Sequence, residues 1–159
     1  MSDAQGQFEA HAASRVGSTF VVFALTILPI LVGPRFMADV DWFRSIDWPL
    51  FTPLSKFWAI GFLLSHILVA YGVATEWLEH QNRFTVLLWG AQLVLTWVFV
   101  LVFFVGQNLM LASISEFLLA MGFLVAIFIA RTKWYLAAVT YLPAAAYCGF
   151  AAYILINTI

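Results

Sequence analysis

The fold is decided by residues 84–130, FTVLLWGAQLVLTWVFVLVFFVGQNLMLASISEFLLAMGFLVAIFIA, a run in which Glu116 carries the only charge. It is about twice the length of the roughly 20 residues that cross a bilayer as one helix. Hydrocarbon leaves no room for unpaired backbone, so the run reads as two spans folded back on each other. The reversal is expected at Gly106-Gln107-Asn108, where a glycine and two amides interrupt an aliphatic and aromatic stretch.

A charged side chain at the bilayer centre costs at least a few kcal/mol, about 2.5–3.5 on insertion scales, so charges mark the ends of spans unless they are used. Reading outward on that basis gives further uncharged runs over 16–34, 57–75 and 134–159. The expected architecture is an all-α, integral membrane bundle of five transmembrane helices, at about 16–34, 57–77, 84–104, 109–130 and 134–157. These form one membrane domain over 16–159, preceded by a polar segment, 1–15. That segment contains Asp3 and Glu9 and lacks the basic start and small-residue cleavage site of a secretory signal, so the first helix is expected to stay as an anchor. Pro29 and Pro34 should kink or end it.

Composition agrees. Of 159 residues, 64% are hydrophobic and 9% charged, which excludes a water-soluble globule. The net charge is −1 and the seven Lys and Arg are scattered, leaving no basic stripe to follow phosphates, so nucleic acid is not an expected partner. Arg15, Arg83, Arg131 and Lys133 gather on one membrane face and Arg35, Arg44 and Lys56 on the other, a division too even to orient the protein. Cys148 is the sole cysteine, so no internal disulfide is available. The one long connection, 35–56, mixes aromatics, prolines and charges; it reads equally as a folded interfacial lid and as an aromatic belt at headgroup level.

His66 and Glu116 lie inside expected spans, where ionisable groups are functional candidates. At 1.5 Å per residue from the same face they sit at depths of roughly 13 Å and 10 Å, compatible with a pair. Each also has a plainer reading, His66 as a core imidazole bonded to a helix carbonyl and Glu116 as a carboxyl held in a helix contact. Gly122, Ala126 and Ala130 form a small-residue stripe that would admit a close neighbour, either within the chain or in a second protomer.

The connector Asp41-Trp-Phe-Arg-Ser-Ile-Asp-Trp-Pro-Leu-Phe-Thr-Pro53 resembles the signature of the TspO, or translocator protein, family, a Trp-Tyr pair followed by Lys-Pro-x-Trp-x-Pro-Pro. Trp42 and Phe43 take the pair's places, Pro49 and Pro53 match, and Phe51 replaces the tryptophan. Phe62 stands for a tryptophan of the family's second helix and His66 for a tyrosine. Ala91-Gln-Leu-Val-Leu-Thr-Trp-Val-Phe-Val-Leu-Val-Phe-Phe104 is similar to the family's Gln-Leu-x-Leu-Asn-x-x-Trp-Ser-x-x-Phe-Phe, with Gln92 matching, Thr96 replacing asparagine and Phe99 replacing tryptophan. Pro143 matches the proline of a Pro-Tyr motif, Ala144 replaces its tyrosine, and Tyr147 replaces a later tryptophan.

The resemblance covers about 40–155 and implies a five-helix bundle, often dimeric, with a pocket beneath the first connector that accepts tetrapyrroles. The ligand-contacting set it implies is Trp42, Pro49, Phe51, Pro53, Phe62, His66, Gln92, Thr96, Phe99, Pro143 and Tyr147, with Glu116 behind His66. Gln92 and Thr96, four apart, either face that pocket or bond between helices. The expected function is a membrane receptor or carrier for a planar hydrophobic ligand, haem or a porphyrin, with a regulatory or transport role. No cofactor or metal is required, and no catalysis is expected. The expected partners are that ligand, the lipid bilayer and a second copy, and the expected location is a bacterial cell membrane. The alternatives are an accessory or assembly subunit without a small-molecule ligand and, less favoured, an intramembrane lipid or isoprenoid enzyme, for which His66 and Glu116 are a thin inventory.

Overall fold

Five stretches are helical, long and apolar enough to cross a membrane: Arg15–Phe36, Phe57–Leu78, Arg83–Val105, Leu109–Ala130 and Ala138–Ile156. The computed structural model describes residues 2–36, 40–50, 52, 55–80, 83–131 and 135–159, and of these the side chains of all but 2–14, 55–56, 79–80 and 136–137. Phe51, Pro53 and Lys133 therefore lie outside the described residues. The helices are α1 (Ser2–Val32), the short α2 (Val40–Ser45) within the connector, α3 (Ser55–His80), α4 (Arg83–Val100), α5 (Leu109–Ala130) and α6 (Tyr135–Ile156). No strand occurs among the described residues. The chain is an integral, multi-pass membrane protein built as a five-helix bundle.

α1 starts at Ser2, so the polar N-terminal residues extend the first span as helix. Ala, Gln and Glu dominate that stretch, and all three favour helix. Pro29 lies inside α1 and is buried, and the helix passes through it to Val32 before tightening into a 3₁₀ turn at Gly33–Phe36 that contains Pro34. α3 runs on to His80, so Glu76, read from sequence as the end of the span, is buried within the bundle.

α5 pairs most extensively with α6, and α6 also packs on α3. Small side chains permit this. Ala138, Ala144, Ala145, Cys148, Ala151 and Ala152 of α6 are buried, as are Ala112, Ala120 and Ala126 of α5. Between helices in lipid, where no hydrophobic force operates, close backbone approach is a main source of attraction. Ser113 Oγ adds an interhelical bond, donating to the Ala152 carbonyl at 2.9 Å. On the α3 side, a Cβ at Gly72 would overlap Thr140 Oγ1 and stand 3.4 Å from Tyr141 Cζ. The stripe Gly122-Ala126-Ala130 is used internally: a Cβ at Gly122 would meet the Gln92 amide of α4 at 3.3 Å, and Ala126 and Ala130 are buried.

The α4–α5 reversal has its own mechanics. Leu101–Val105 is π-helical, closed by Gly106 N–H donating to the Leu101 carbonyl at 2.9 Å. Gln107 then adopts φ 50° and Asn108 caps α5, its Oδ1 accepting from Leu111 N–H at 3.0 Å. A left-handed Gln is strained by about 1 kcal/mol, which glycine would avoid.

Gly72→Ala is expected to destabilise the bundle by about 1–3 kcal/mol through overpacking. Gly90→Ala has nothing within 4 Å of the new methyl, so it should be neutral or stabilising, by up to about 1 kcal/mol of helix propensity. Thermal unfolding of the two variants in one detergent compares them directly; equal melting temperatures would contradict the close α3–α6 contact.

Candidate functional site

The aromatic side chains of α3, α4 and α6 meet in one column. Phe62 is buried at its centre. Its ring centroid lies 4.3 Å from His66, 5.3 Å from Tyr147 and 6.3 Å from Phe99. Helical spacing places Trp58, Phe62 and His66 on one face at intervals of four. Trp58 continues the column towards α6, 5.0 Å from Tyr147 and 6.1 Å from Phe150. Tyr147 is fixed at both ends: its hydroxyl donates to the Trp58 carbonyl at 2.7 Å, and its ring rests over Gly61, where a Cβ would stand 3.0 Å from Cε2.

From Phe99 the column reaches the connector. Phe99 stacks on Phe103 at 5.4 Å with an interplanar angle of 13°. Phe103 lies in the π-helical segment, where the wider turn changes the angular offset between successive residues and sets Phe103 and Phe104 edge to face at 4.9 Å. Trp42 and Phe43 of α2 meet Phe103 edge-on at 5.7 Å and 6.2 Å, and Trp48 packs on Phe43 at 5.4 Å. Through these contacts α2 and Trp48 seat the described part of the connector, the lid segment, against Phe103 at the end of the bundle. Ser45 Oγ donates to the Trp42 carbonyl at 2.7 Å, and Thr52 N–H to the Pro49 carbonyl at 2.8 Å, which holds the turn that follows α2.

Polar groups enter the column at two places. His66 is buried; its Nδ1–H donates to the Phe62 carbonyl one turn back at 2.9 Å, while Nε2 has no hydrogen-bond partner. The neutral ring then keeps a bare lone pair on Nε2, ready for a donor or a Lewis acid. Glu116 is buried on α5 with the Cys148 thiol of α6 beside its carboxyl group, and Oε2 is left without a partner. His66 and Glu116, compatible in depth with a pair, are not hydrogen-bonded to each other, and His66 takes the plainer reading of an imidazole bonded to a helix carbonyl. Each group is engaged elsewhere, His66 by its own helix and Glu116 by α6.

The structure therefore brings Trp42, Phe62, His66, Phe99 and Tyr147 into one connected set. Pro49 is half-buried in the lid. Pro143 lies inside α6 with its side chain on the outer face, apart from the column. Gln92 and Thr96 share a buried face of α4, and the Thr96 hydroxyl donates to the Gln92 carbonyl at 2.9 Å.

Gln92 belongs to a second polar group towards the opposite end. With Glu76, Thr85 and Tyr141 it lines a cavity of about 10 Å³. Thr85 Oγ1 donates to Glu76, whereas Gln92 Nε2 and the Tyr141 hydroxyl have no partner. The space accommodates about one water, which would accept from both orphan donors. The residues that sequence reasoning missed are Trp58, Phe103 and this group. Trp58 and Phe103 each lie four residues from a singled-out aromatic, Phe62 and Phe99, so the i,i+4 rule would have found them. Glu76 was hidden because a charge was taken to end its span.

Two comparisons with known proteins bear on this arrangement. The family model described as the TspO/MBR family matches residues 19–158, nearly the whole chain. The comparison with curated proteins finds no match to the chain.

Cys148→Ala removes the polar side chain beside the buried Glu116 carboxyl and is expected to destabilise by about 1–3 kcal/mol, the usual penalty for orphaning a buried polar group. Cys148→Ser keeps a donor at the same place and should recover most of that loss. Chemical denaturation of both variants in detergent checks the pair; if serine were as damaging as alanine, the thiol would be acting through volume alone.

Proposed function

The chain belongs to the TspO/MBR family, and from that membership we propose that it is a non-catalytic membrane receptor or carrier for a planar hydrophobic ligand, a haem- or porphyrin-type tetrapyrrole, with a regulatory or transport role in a bacterial cell membrane. The observation that carries the reading is the unbroken set of ring contacts from Trp58 through Tyr147, Phe62, Phe99 and Phe103 to Trp42 in the lid. Flat aromatic faces suit a flat conjugated guest because they bury much apolar area with few torsions to freeze. His66 Nε2 supplies the polar complement, a lone pair for a pyrrole N–H, a protonated carboxyl or a haem iron.

In this reading the rings pack on one another in the ligand-free state and part when a guest enters. The lid is the element to move, since its Trp42 and Phe43 rest edge-on against Phe103 at the end of the column. Phe51 and Pro53 belong to the proposed set through the family resemblance, as does Pro49. Pro143 contributes through the course of α6 rather than by contact. Homodimerisation is part of the same proposal, with Gly122, Ala126 and Ala130 set aside as a seam because α4 covers Gly122 and the two alanines are buried. A second reading, an accessory or assembly subunit with no small-molecule ligand, draws on the same packed rings, taken as a permanent core.

Titration of the detergent-purified protein with protoporphyrin and with haem, followed by tryptophan quenching, tests the proposal. Saturable binding is expected, weakened roughly tenfold, the equivalent of about 1.4 kcal/mol, by Phe62→Ala or Phe99→Ala. His66→Ala should weaken haem more than metal-free protoporphyrin. Absence of saturable binding in the wild type, with stable copurification of a membrane complex, would move the assignment to the accessory subunit.

A further inference from the structure

A groove of about 460 Å³ runs along the outside of the bundle between α1, α3 and α4, lined by Gly17, Ser18, Val22, Trp77, Val86 and Trp89 among others. We infer that it is a binding site for one anionic phospholipid, whose acyl chain lies in the groove and whose headgroup is held by Arg15 and Arg83. Nothing in the receptor reading above depends on it.

Three observations fix the occupant. The first is charge. Arg15 and Ser18 on α1, and Arg83 and Val86 on α4, are each three residues apart, so each arginine lies on the same helix face as a groove residue, one turn nearer the membrane surface. Both arginines are exposed, and neither forms an ion pair among the described residues. Arginine forks match phosphate geometry, and two of them at one mouth select an anionic headgroup over a zwitterionic one.

The second observation is length. The α1 lining of the groove runs from Gly17 to Leu25, and one residue deeper Trp89 Nε1–H donates to Thr26 Oγ1 at 2.9 Å, a link between α4 and α1 that we take as the groove's inner stop. Thr26 in turn donates to the Val22 carbonyl at 2.7 Å, which fixes the stop. From Gly17 to Thr26 is about 14 Å at 1.5 Å per residue, close to one leaflet of a hydrocarbon core about 30 Å thick. A chain anchored at the surface would fill the groove and end at that bond. The third is the lining. Apart from Ser18 and the two indoles it is aliphatic or glycine, and Trp77 sits towards the outer end, where tryptophan favours the headgroup boundary. The volume falls within the roughly 300–1,000 Å³ typical of small-ligand sites.

The test uses the full chain in vesicles of phosphatidylcholine containing a minority of phosphatidylglycerol, with bromine on the acyl chains of one lipid at a time. Brominated phosphatidylglycerol is expected to quench tryptophan with an association constant roughly tenfold above that of brominated phosphatidylcholine. Trp77→Phe/Trp89→Phe should abolish the excess quenching. Arg15→Gln/Arg83→Gln should abolish the preference while leaving phosphatidylcholine quenching and the helical circular dichroism unchanged. Equal quenching by the two lipids would overturn the proposal, as would a preference that survives the arginine substitutions. So would low quenching by both lipids that rises on dilution, since a second copy of the chain would then occupy the groove.

Discussion

The close contact of α6 with α3 and α5 is the constraint on which the other features depend. A bilayer offers no hydrophobic reward for bringing helices together, so attraction comes from dense packing and from hydrogen bonds that cross between helices. α6 meets this requirement with alanines and Cys148 on its buried faces, and α3 with Gly72 set against Thr140. The bond from Ser113 to the Ala152 carbonyl adds a polar link at the lid end. Because α6 lies this close, Tyr147 can reach across to the Trp58 carbonyl and Cys148 can reach Glu116.

The aromatic column is a consequence of that geometry. Gly61 leaves room for the Tyr147 ring, and Tyr147, Phe62 and His66 then fill the space between α3 and α6. The π-helical segment at Leu101–Val105 does the corresponding work on α4. A wider turn shifts Phe103 and Phe104 relative to Phe99, so that a stacked pair and an edge-to-face pair face the lid together. π segments recur at functional sites because they re-aim side chains without breaking the helix. Here the re-aimed side chain is the one on which Trp42 and Phe43 rest.

The two membrane faces carry different chemistry. The lid end presents stacked rings and a lone pair on His66, suited to a flat guest. The other end presents buried amide, hydroxyl and carboxylate groups around a one-water cavity, and beyond them two arginines at the mouth of a lipid-length groove. Both cavities lie away from the lid, and the bond from Trp89 to Thr26 bounds the groove while Trp89 also lines the polar cavity.

The sequence by itself determined the class and the number of crossings. Apolar runs separated by charges depend only on the cost of burying charge in hydrocarbon, a local property of each segment. The family was legible for a similar reason: Trp42, Pro49, Gln92 and the Phe103-Phe104 pair keep fixed spacings along the chain. Tertiary structure decided which side chains meet. Depth placed His66 and Glu116 level with each other, but helix rotation gave His66 to the Phe62 carbonyl and set Glu116 beside Cys148. The charge rule that found the spans also misplaced Glu76, because a carboxylate supported by Thr85 of the next helix can remain inside a span. Spacing along one helix is written in the sequence; the rotation of that helix against its neighbours is set by how several helices pack at once.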